Sequence, residues 1–307
     1  MVDSIVFAGT PQNAAQTLSE LVAGGIEVSL VITRHDAPKG RKALLTESPV
    51  AIAARNLGLV VYKTNSLDEA AIKVIRETRS DVGVIVAYGS ILNAPALDSL
   101  DRGWYNLHYS LLPALRGAAP VQHAIIRGLR ETGVTLFKLD QGVDTGNYLA
   151  RVKTKIEPGE TAARLLSRLT ALGCTLLIQE LPAIFAGTSI PKTQVGTSTA
   201  APKLTRADAR LDFSKSASEL EALILGCNPE PGAWTTLNGK GFKIHDAYAV
   251  DTDQRHPTGT MFDHSSQVAI RCSGETALVI RQVQPAGKLV MSAQDWRRGV
   301  HEFVRFE

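Results

Sequence analysis

SIVFAGTPQNAAQTLSELVAGGIEVSLVI, residues Ser4 to Ile32, decides the fold class. Ser4 to Gly9 is a short apolar, β-branched run ending in glycine, and the helix-like NAAQTLSELVAGG follows from Asn13. Glu27 to Ile32 reads as a second strand. Beyond a loop come a helix from Ser48 (SPVAIAARNLG), a short strand Leu59–Tyr62, a helix Asp68–Arg79 and a buried strand Val82–Ala87. This β-α alternation predicts an α/β domain with a doubly wound, Rossmann-like parallel sheet and helices on both faces. Ligands of such sheets sit outside the carboxyl ends of the strands. Gly9-Thr10-Pro11 stands where a phosphate loop would stand, but GxGxxG is missing. A tight strand-to-helix turn is therefore preferred to dinucleotide binding.

Composition narrows the class further. The 307 residues are enough for two domains with sizeable cores. An apolar fraction of 44% and a charged fraction of 21% are ordinary for a globular protein. The net charge of +3 does not by itself argue for nucleic acid. Residues 1–207 hold 22 Lys/Arg against 17 Asp/Glu, and the remainder 11 against 13, so an anionic partner is better served by the first part or by local clusters. Cys174, Cys227 and Cys272 lie far apart without ligand spacing and read as reduced, structural thiols. No signal peptide is visible, and no apolar run is expected to reach the ~18 residues of a membrane span. A cytoplasmic monomer without a membrane partner is expected.

The chemistry concentrates between Trp104 and Leu149. Asn106-Leu107-His108 alternates as a strand does, so Asn106 and His108 share a face and Leu107 turns inward. Ser110-Leu111-Leu112-Pro113 leads out of that strand, and the segment closes on Asp140-Gln-Gly-Val-Asp144-Thr-Gly146, a loop with two carboxylates. An amide, an imidazole and a carboxylate supply an oxyanion donor, a titratable group and a group to orient or deprotonate. A structural histidine and a turn-capping Asn106 are the plainer readings of the same residues. Ser110 is not in GxSxG, so a serine hydrolase is disfavoured. His108, His123 and Asp144 lack close ligand spacing, so no metal is expected.

NLHYSLLP, RGAAPVQ, ETGVTLFKLDQGVDTG and the opening VFAGTP resemble the folate-dependent formyltransferases, in particular those acting on methionyl-tRNA. The resemblance runs along nearly the whole chain. It implies transfer of formyl from 10-formyltetrahydrofolate to the amino group of methionyl initiator tRNA, for translation initiation. It casts Asn106, His108 and Asp144 as the catalytic trio, with the Asn106 amide and the His108 imidazole as oxyanion donors and Asp144 holding His108 and helping to remove the amine proton. Ser110, Leu111, Leu112 and Pro113 match the family's tetrahydrofolate-binding tetrapeptide. Ala87, Tyr88, Gly89, Ile91 and Leu92 would line the pterin pocket, mainly through backbone groups, with Asp140 a further pocket candidate. Ser90 stands where an apolar residue is usual.

The same resemblance gives the long basic loop from Arg34 to Pro49 a purpose that composition alone does not, since solvated, mobile loops look alike. It implies that Arg41 and, less directly, Lys42 reach the tRNA acceptor stem, although Gly40-Arg41-Lys42-Ala43 departs from the usual Gly-Arg-Gly. Ala114-Leu115 likewise replaces the usual Arg-Trp before RGAAP.

Leucines from Leu165 to Leu181 are spaced as a long amphipathic helix closing the first domain. The expected division is a formyltransferase domain over 1–189, a Thr/Ser/Gly/Pro-rich linker over 190–207, and a C-terminal domain over 208–307. After Cys227 short strands alternate with turn signals, Asn238-Gly239 being the best hairpin signal, which predicts a small OB-like β-barrel. NPEPGAW (Asn228–Trp234) and QPAGKLVMSAQD (Gln284–Asp295) resemble the tRNA-binding domain of the same family. Two rivals remain: a sugar-nucleotide N-formyltransferase using the same donor, and a catalytically silent folate- or RNA-binding protein. The basic loop and the C-terminal motifs weigh against the first, and the trio's spacing against the second.

Overall fold

The computed structural model describes residues 3–39, 43–300 and 304–307. Up to residue 186 the elements are β1 (Ser4–Gly9), α1 (Gln12–Ala23), β2 (Glu27–Thr33), β3 (Ala37–Lys39), β4 (Leu44–Thr46), α2 (Pro49–Asn56), β5 (Val61–Lys63) and α3 (Glu69–Glu77). Then follow β6 (Val82–Val86), α4 (Ala94–Leu97), β7 (Gly103–His108), α5 (Pro120–Ile126), β8 (Glu131–Lys138), β9 (Tyr148–Lys155) and α6 (Ala162–Ala186). Two compact units form, and they interleave along the chain. One holds residues up to 117, with 132–154 and 166–200; the other holds 118–131, 155–165 and the residues from 201 on.

The first unit is built on a seven-stranded sheet in the order β5-β2-β1-β6-β7-β8-β9. β1 is buried along its whole length, as an apolar central strand covered on both faces must be. Helix starts are written locally: the side chains of Ser48 and Asp68 accept from the third backbone N–H of α2 and α3, each at 3.0 Å. Five strands are parallel, as the alternation predicted, but β8 runs antiparallel to β7. β7 and β8 are joined by residues 109–130, which contain α5, while β8 and its other neighbour β9 are joined directly by residues 139–147.

Gly83 on β6 faces the buried Trp104, and an added Cβ would lie 2.2 Å from that ring. The indole is fixed by its Nε1–H, which donates to Ala96 O at 2.9 Å, so it has little room to withdraw. Gly83→Ala is expected to destabilise the protein by about 1–3 kcal/mol. A lowered urea midpoint at unchanged slope would show it.

Within the basic loop β3 and β4 pair as a short antiparallel ribbon. Arg41 and Lys42 lie outside the described residues. Among the described residues one helix, Ala162–Ala186, is long and apolar enough to cross a membrane, contrary to the expectation that none would be. It carries Arg164, Arg168 and Glu180, and Leu169, Leu177 and Leu181 are fully buried, as in a core helix. Segment 190–207 contains neither helix nor extended strand. Lys192 pairs with Tyr148, and Ala200 with Arg116.

The second unit continues with α7 (Ala217–Gly226), β10 (Trp234–Leu237), β11 (Lys240–Asp251), β12 (Met261–His264), β13 (Gln267–Arg271), β14 (Thr276–Pro285), β15 (Met291–Ser292) and α8 (Ala293–Arg298). The hairpin between β10 and β11 turns at Asn238 and Gly239, both at positive φ, as their sequence predicted. The sheet runs β10-β11-β14-β13-β12, with β15 on β14. Its two edges are bridged by the last residues: Val304 O accepts from Met261 N, Phe306 N donates to Gly259 O, and Glu307 N donates to Thr236 O. This closes an OB-like sheet around Phe242, Trp296 and Phe306, whose rings pack 4.8 to 5.9 Å apart.

Candidate active site

β7 ends at the carboxyl side of the parallel strands, between β6 and β8, with Asn106 paired to Ile85 and to Phe137. Its alternation places Leu107 in the core and leaves Asn106 half-buried. His108 is 5% exposed, with the edge of its ring against Phe137. The chain then turns back through Ser110–Arg116. His108 Nε2 lies 2.9 Å from Leu115 O. A carbonyl oxygen only accepts, so Nε2 carries the hydrogen and Nδ1 of the neutral ring keeps its lone pair.

Asp144 Oδ2 lies 3.7 Å from Nδ1 and accepts from the Gly117 N–H at 2.7 Å. Burial pushes the His108 imidazole below its ordinary value, while the Asp144 carboxylate and the Leu115 carbonyl pull the other way. The pair is thus a largely dry, neutral imidazole with an acceptor nitrogen facing a carboxylate.

Asn106 and Asp144 open into a cleft of about 170 Å³ that is also lined by Ala87, Tyr88, Gly89, Ile91, Leu92, Leu139, Asp140 and Val143. Every residue assigned to the pterin pocket from sequence is therefore gathered here. Tyr88 contributes by its backbone. Its hydroxyl donates to Thr64 O at 2.8 Å inside the core, and burial pushes its pKa up to about 12. Ile91 and Val143 are 80% and 57% exposed, an apolar rim suited to a flat ring. Asp140 ties its own loop, accepting from Gly142 N at 3.0 Å and Thr145 Oγ1 at 2.5 Å.

Ser110, Leu111, Leu112 and Pro113 do not line this cleft. Ser110 is fully buried and donates to Ala114 O at 2.6 Å, while Leu112 N donates to Thr135 Oγ1. They form the turn that brings Leu115 back to His108. A larger groove of about 720 Å³ in the second unit, between Arg210–Ser214 and Arg305–Glu307, holds no comparable acid, base and amide set.

The backbone of the site is strained. Ala87, Leu115 and Asp144 have φ of +49°, +60° and +53°, which non-glycine residues seldom adopt. Each costs of order 1–3 kcal/mol and persists only where the surroundings enforce it. Gly146 is one such constraint, since a Cβ there would lie 1.8 Å from Lys138 O. Among the described residues no group of three or more His, Cys, Asp or Glu is placed to hold a metal. Sequence reasoning missed Leu115 and Gly117, which act through the backbone, and Gln194, which lies fifty residues from the loop it bonds.

Comparison with known proteins identifies the family. Residues 3–181 match the formyl transferase family and residues 203–301 the formyl transferase C-terminal domain. A methionyl-tRNA formyltransferase of Leifsonia xyli is 48% identical over 96% of this chain and 97% of its own. One from Clavibacter sepedonicus is 45% identical over 96% and 97%. Among solved structures, an N-formyltransferase from Helicobacter canadensis, in complex with folinic acid and dTDP-3-aminofucose, superposes with a TM-score of 0.67 over 92% of this chain and 100% of that one. At 17% identity it speaks for the fold alone. With both halves matched by their family models and relatives near half identity over almost the full length, the chain belongs to the formyl transferase family, in its methionyl-tRNA formyltransferase group.

Proposed function

We propose that the protein transfers formyl from 10-formyltetrahydrofolate to the amino group of methionyl initiator tRNA, supplying the formylated initiator for translation in the cytoplasm. The observation that carries this reading is the convergence of Asn106, His108 and Asp144 beside a cleft with an apolar rim, in a chain of this family. The cleft takes the pterin of the donor through the backbone of residues 87–92 and the 139–144 loop. Segment 110–113 serves the donor indirectly, by setting His108. The catalytic domain extends over 1–189 and the tRNA-binding domain over 208–307, joined by 190–207, and the chain works as a monomer. Arg41 and Lys42 meet the acceptor stem. In the second unit Arg206 and Arg210 lie 4.5 and 5.7 Å over the Trp234 ring, a cationic, aromatic face that suits RNA.

Chemically, the neutral amine adds to the formyl carbon and its C=O electrons move to oxygen. Asn106 Nδ2 donates to that oxyanion. The amine proton passes to His108 Nδ1, and the imidazolium so formed is balanced by Asp144. The oxyanion then re-forms C=O as the C–N bond to the folate nitrogen breaks, and the imidazolium returns its proton to that nitrogen. His108 therefore changes role from the oxyanion donor that sequence alone suggested to a base, because its one N–H is already given to Leu115.

The pH dependence follows with a definite sign. Catalysis needs neutral His108, and its pKa lies below the ordinary 6.5, so the acid limb of kcat falls below pH 6.5. Asp144→Asn removes the charge that raises this pKa, so the limb of the residual activity moves to lower pH. A pH profile of single-turnover rates for both proteins checks this. A limb moving to higher pH in Asp144→Asn would refute the base role.

The function itself is tested by offering labelled 10-formyltetrahydrofolate with methionyl initiator tRNA and amino-sugar nucleotides side by side. Transfer to the tRNA, with affinity that falls as salt rises, is expected. Transfer to the sugar alone would keep the trio and discard the acceptor.

A further inference from the structure

Gln194 belongs to the first unit, in the segment that follows the helix Ala162–Ala186, and its half-buried amide is fully committed. Nε2 donates to Asp144 O at 2.9 Å and to Gly146 O at 2.8 Å. Oε1 accepts from Arg116 Nη2 at 2.6 Å. The backbone on both sides is stitched down as well. Lys192 exchanges two hydrogen bonds with Tyr148, at 2.8 and 2.9 Å. Leu115 N donates to Thr199 Oγ1 at 2.9 Å, and Arg116 N to Thr199 O at 2.8 Å.

Those bonds reach the two loops that define the environment of His108. One loop supplies Leu115 O, which takes the His108 Nε2 hydrogen, and Gly117 N–H, which holds Asp144 Oδ2. The other supplies Asp144 itself. Both pass through backbone that residues of their type disfavour, Leu115 at φ +60° and Asp144 at φ +53°, so neither keeps its shape unaided. Gln194 bonds the backbone on either side of Thr145 and the side chain of the residue preceding Gly117, and so ties one loop to the other. Only an amide meets the requirement at this length, since two carbonyls must be given hydrogens while a guanidinium is accepted.

We infer that Gln194 is a positioning residue for formyl transfer, holding the Asp144 loop against the Leu115–Gly117 loop so that the carboxylate keeps its register with the His108 ring. This rests on the catalytic reading of Asn106, His108 and Asp144 given above. It makes segment 192–199 a part of the active site's support, with Thr199 fixing the second loop from the other side of Gln194.

The test uses full-length Gln194→Glu and Gln194→Met beside Asp144→Asn. The glutamate keeps the acceptor for Arg116 but sets a carboxylate against two carbonyls; the methionine keeps the length and loses all three bonds. Both variants are expected to fold, and thermal unfolding checks it. kcat is expected to fall about 10–100-fold, the scale on which small misplacements of catalytic groups act. KM for the folate donor and for methionyl initiator tRNA should change by less than about threefold. Among the described residues Asp144 is the ionisable group that faces His108, with Leu115 O and the Phe137 ring as its other neighbours. The His108 pKa, followed by NMR of the imidazole, should therefore move down as the carboxylate drifts, a change that mere loosening elsewhere would not cause. A kcat within twofold of wild type with His108 unmoved, whatever the melting temperature, would overturn the inference. If Asp144→Asn is impaired while both Gln194 variants are not, the positioning role falls alone. If Asp144→Asn is also fully active, the catalytic reading falls with it.

Discussion

Replacing His108 by alanine is expected to slow formyl transfer by about 10²–10⁴-fold, the range that positioned general bases contribute. The Nε2 hydrogen is given to Leu115 O, the ring packs perpendicular to Phe137, and Nδ1 faces Asp144. The ring cannot rotate to serve another function, and the nitrogen left with a lone pair is the one beside the cleft's carboxylate. Burial holds the imidazole below its ordinary pKa, so the basic form dominates at neutral pH. Alanine removes the acceptor for the amine proton and leaves Asp144 to act through water alone. The loss should appear in the single-turnover rate, with KM for the donor nearly unchanged, because His108 does not line the pterin cleft. A KM effect with an intact rate would instead make His108 a binding residue.

Asn106→Ala should cost about 10²–10³-fold in kcat, equivalent to roughly 3–4 kcal/mol, as for other single oxyanion donors. Asn106 stands on a central strand between Ile85 and Phe137, so its side chain is aimed by the sheet and not by a loop. It lines the cleft, and once a bound donor displaces the water there, one hydrogen-bond donor to a developing negative charge is worth more than in solvent. Asn106→Asp is the sharper control. The carboxylate is nearly the same size but offers no hydrogen and places a second negative charge beside Asp144, so its rate should be no better than the alanine variant's. An aspartate variant near wild-type rate would remove the oxyanion role.

The parts of this site that were legible in the sequence are those fixed by local periodicity. Alternation alone put Asn106 and His108 on one face and Leu107 in the core, because a strand gives a side chain no other choice. The βαβ pattern from Ser4 to Ala87 likewise named the carboxyl ends where the cleft opens, and residues 87–92 arrive there because β6 ends at Val86. The reversal of β8 against β7 was not legible, since the connection through 109–130 contains a helix just as a parallel crossover does. The ribbon of β3 and β4 escaped a composition argument for a similar reason, as Lys- and Pro-containing segments seldom read as strands.

What the sequence hid most completely is the support of the site. Leu115 and Gly117 act through a carbonyl and an N–H, groups every residue possesses, so no side-chain motif announces them. The assignment of His108 as a base depends on the Leu115 bond and was out of reach without it. Segment 190–207 shows the same limit. Its composition is that of a flexible tether, yet Lys192, Gln194 and Thr199 fasten it to the loops around Asp144 and Arg116. Polar residues of a tether and polar residues of a clamp have the same hydropathy, and only their partners distinguish them.

The most direct measurement is single-turnover transfer of labelled formyl from 10-formyltetrahydrofolate to methionyl initiator tRNA, by the wild-type protein and by a folded Asn106→Ala, His108→Ala double variant. The account predicts transfer by the wild type and none above background by the double variant, with donor binding retained. Absence of transfer by the wild type, or a double variant within about tenfold of it, would contradict the account, since positioned donors and bases contribute far more than that.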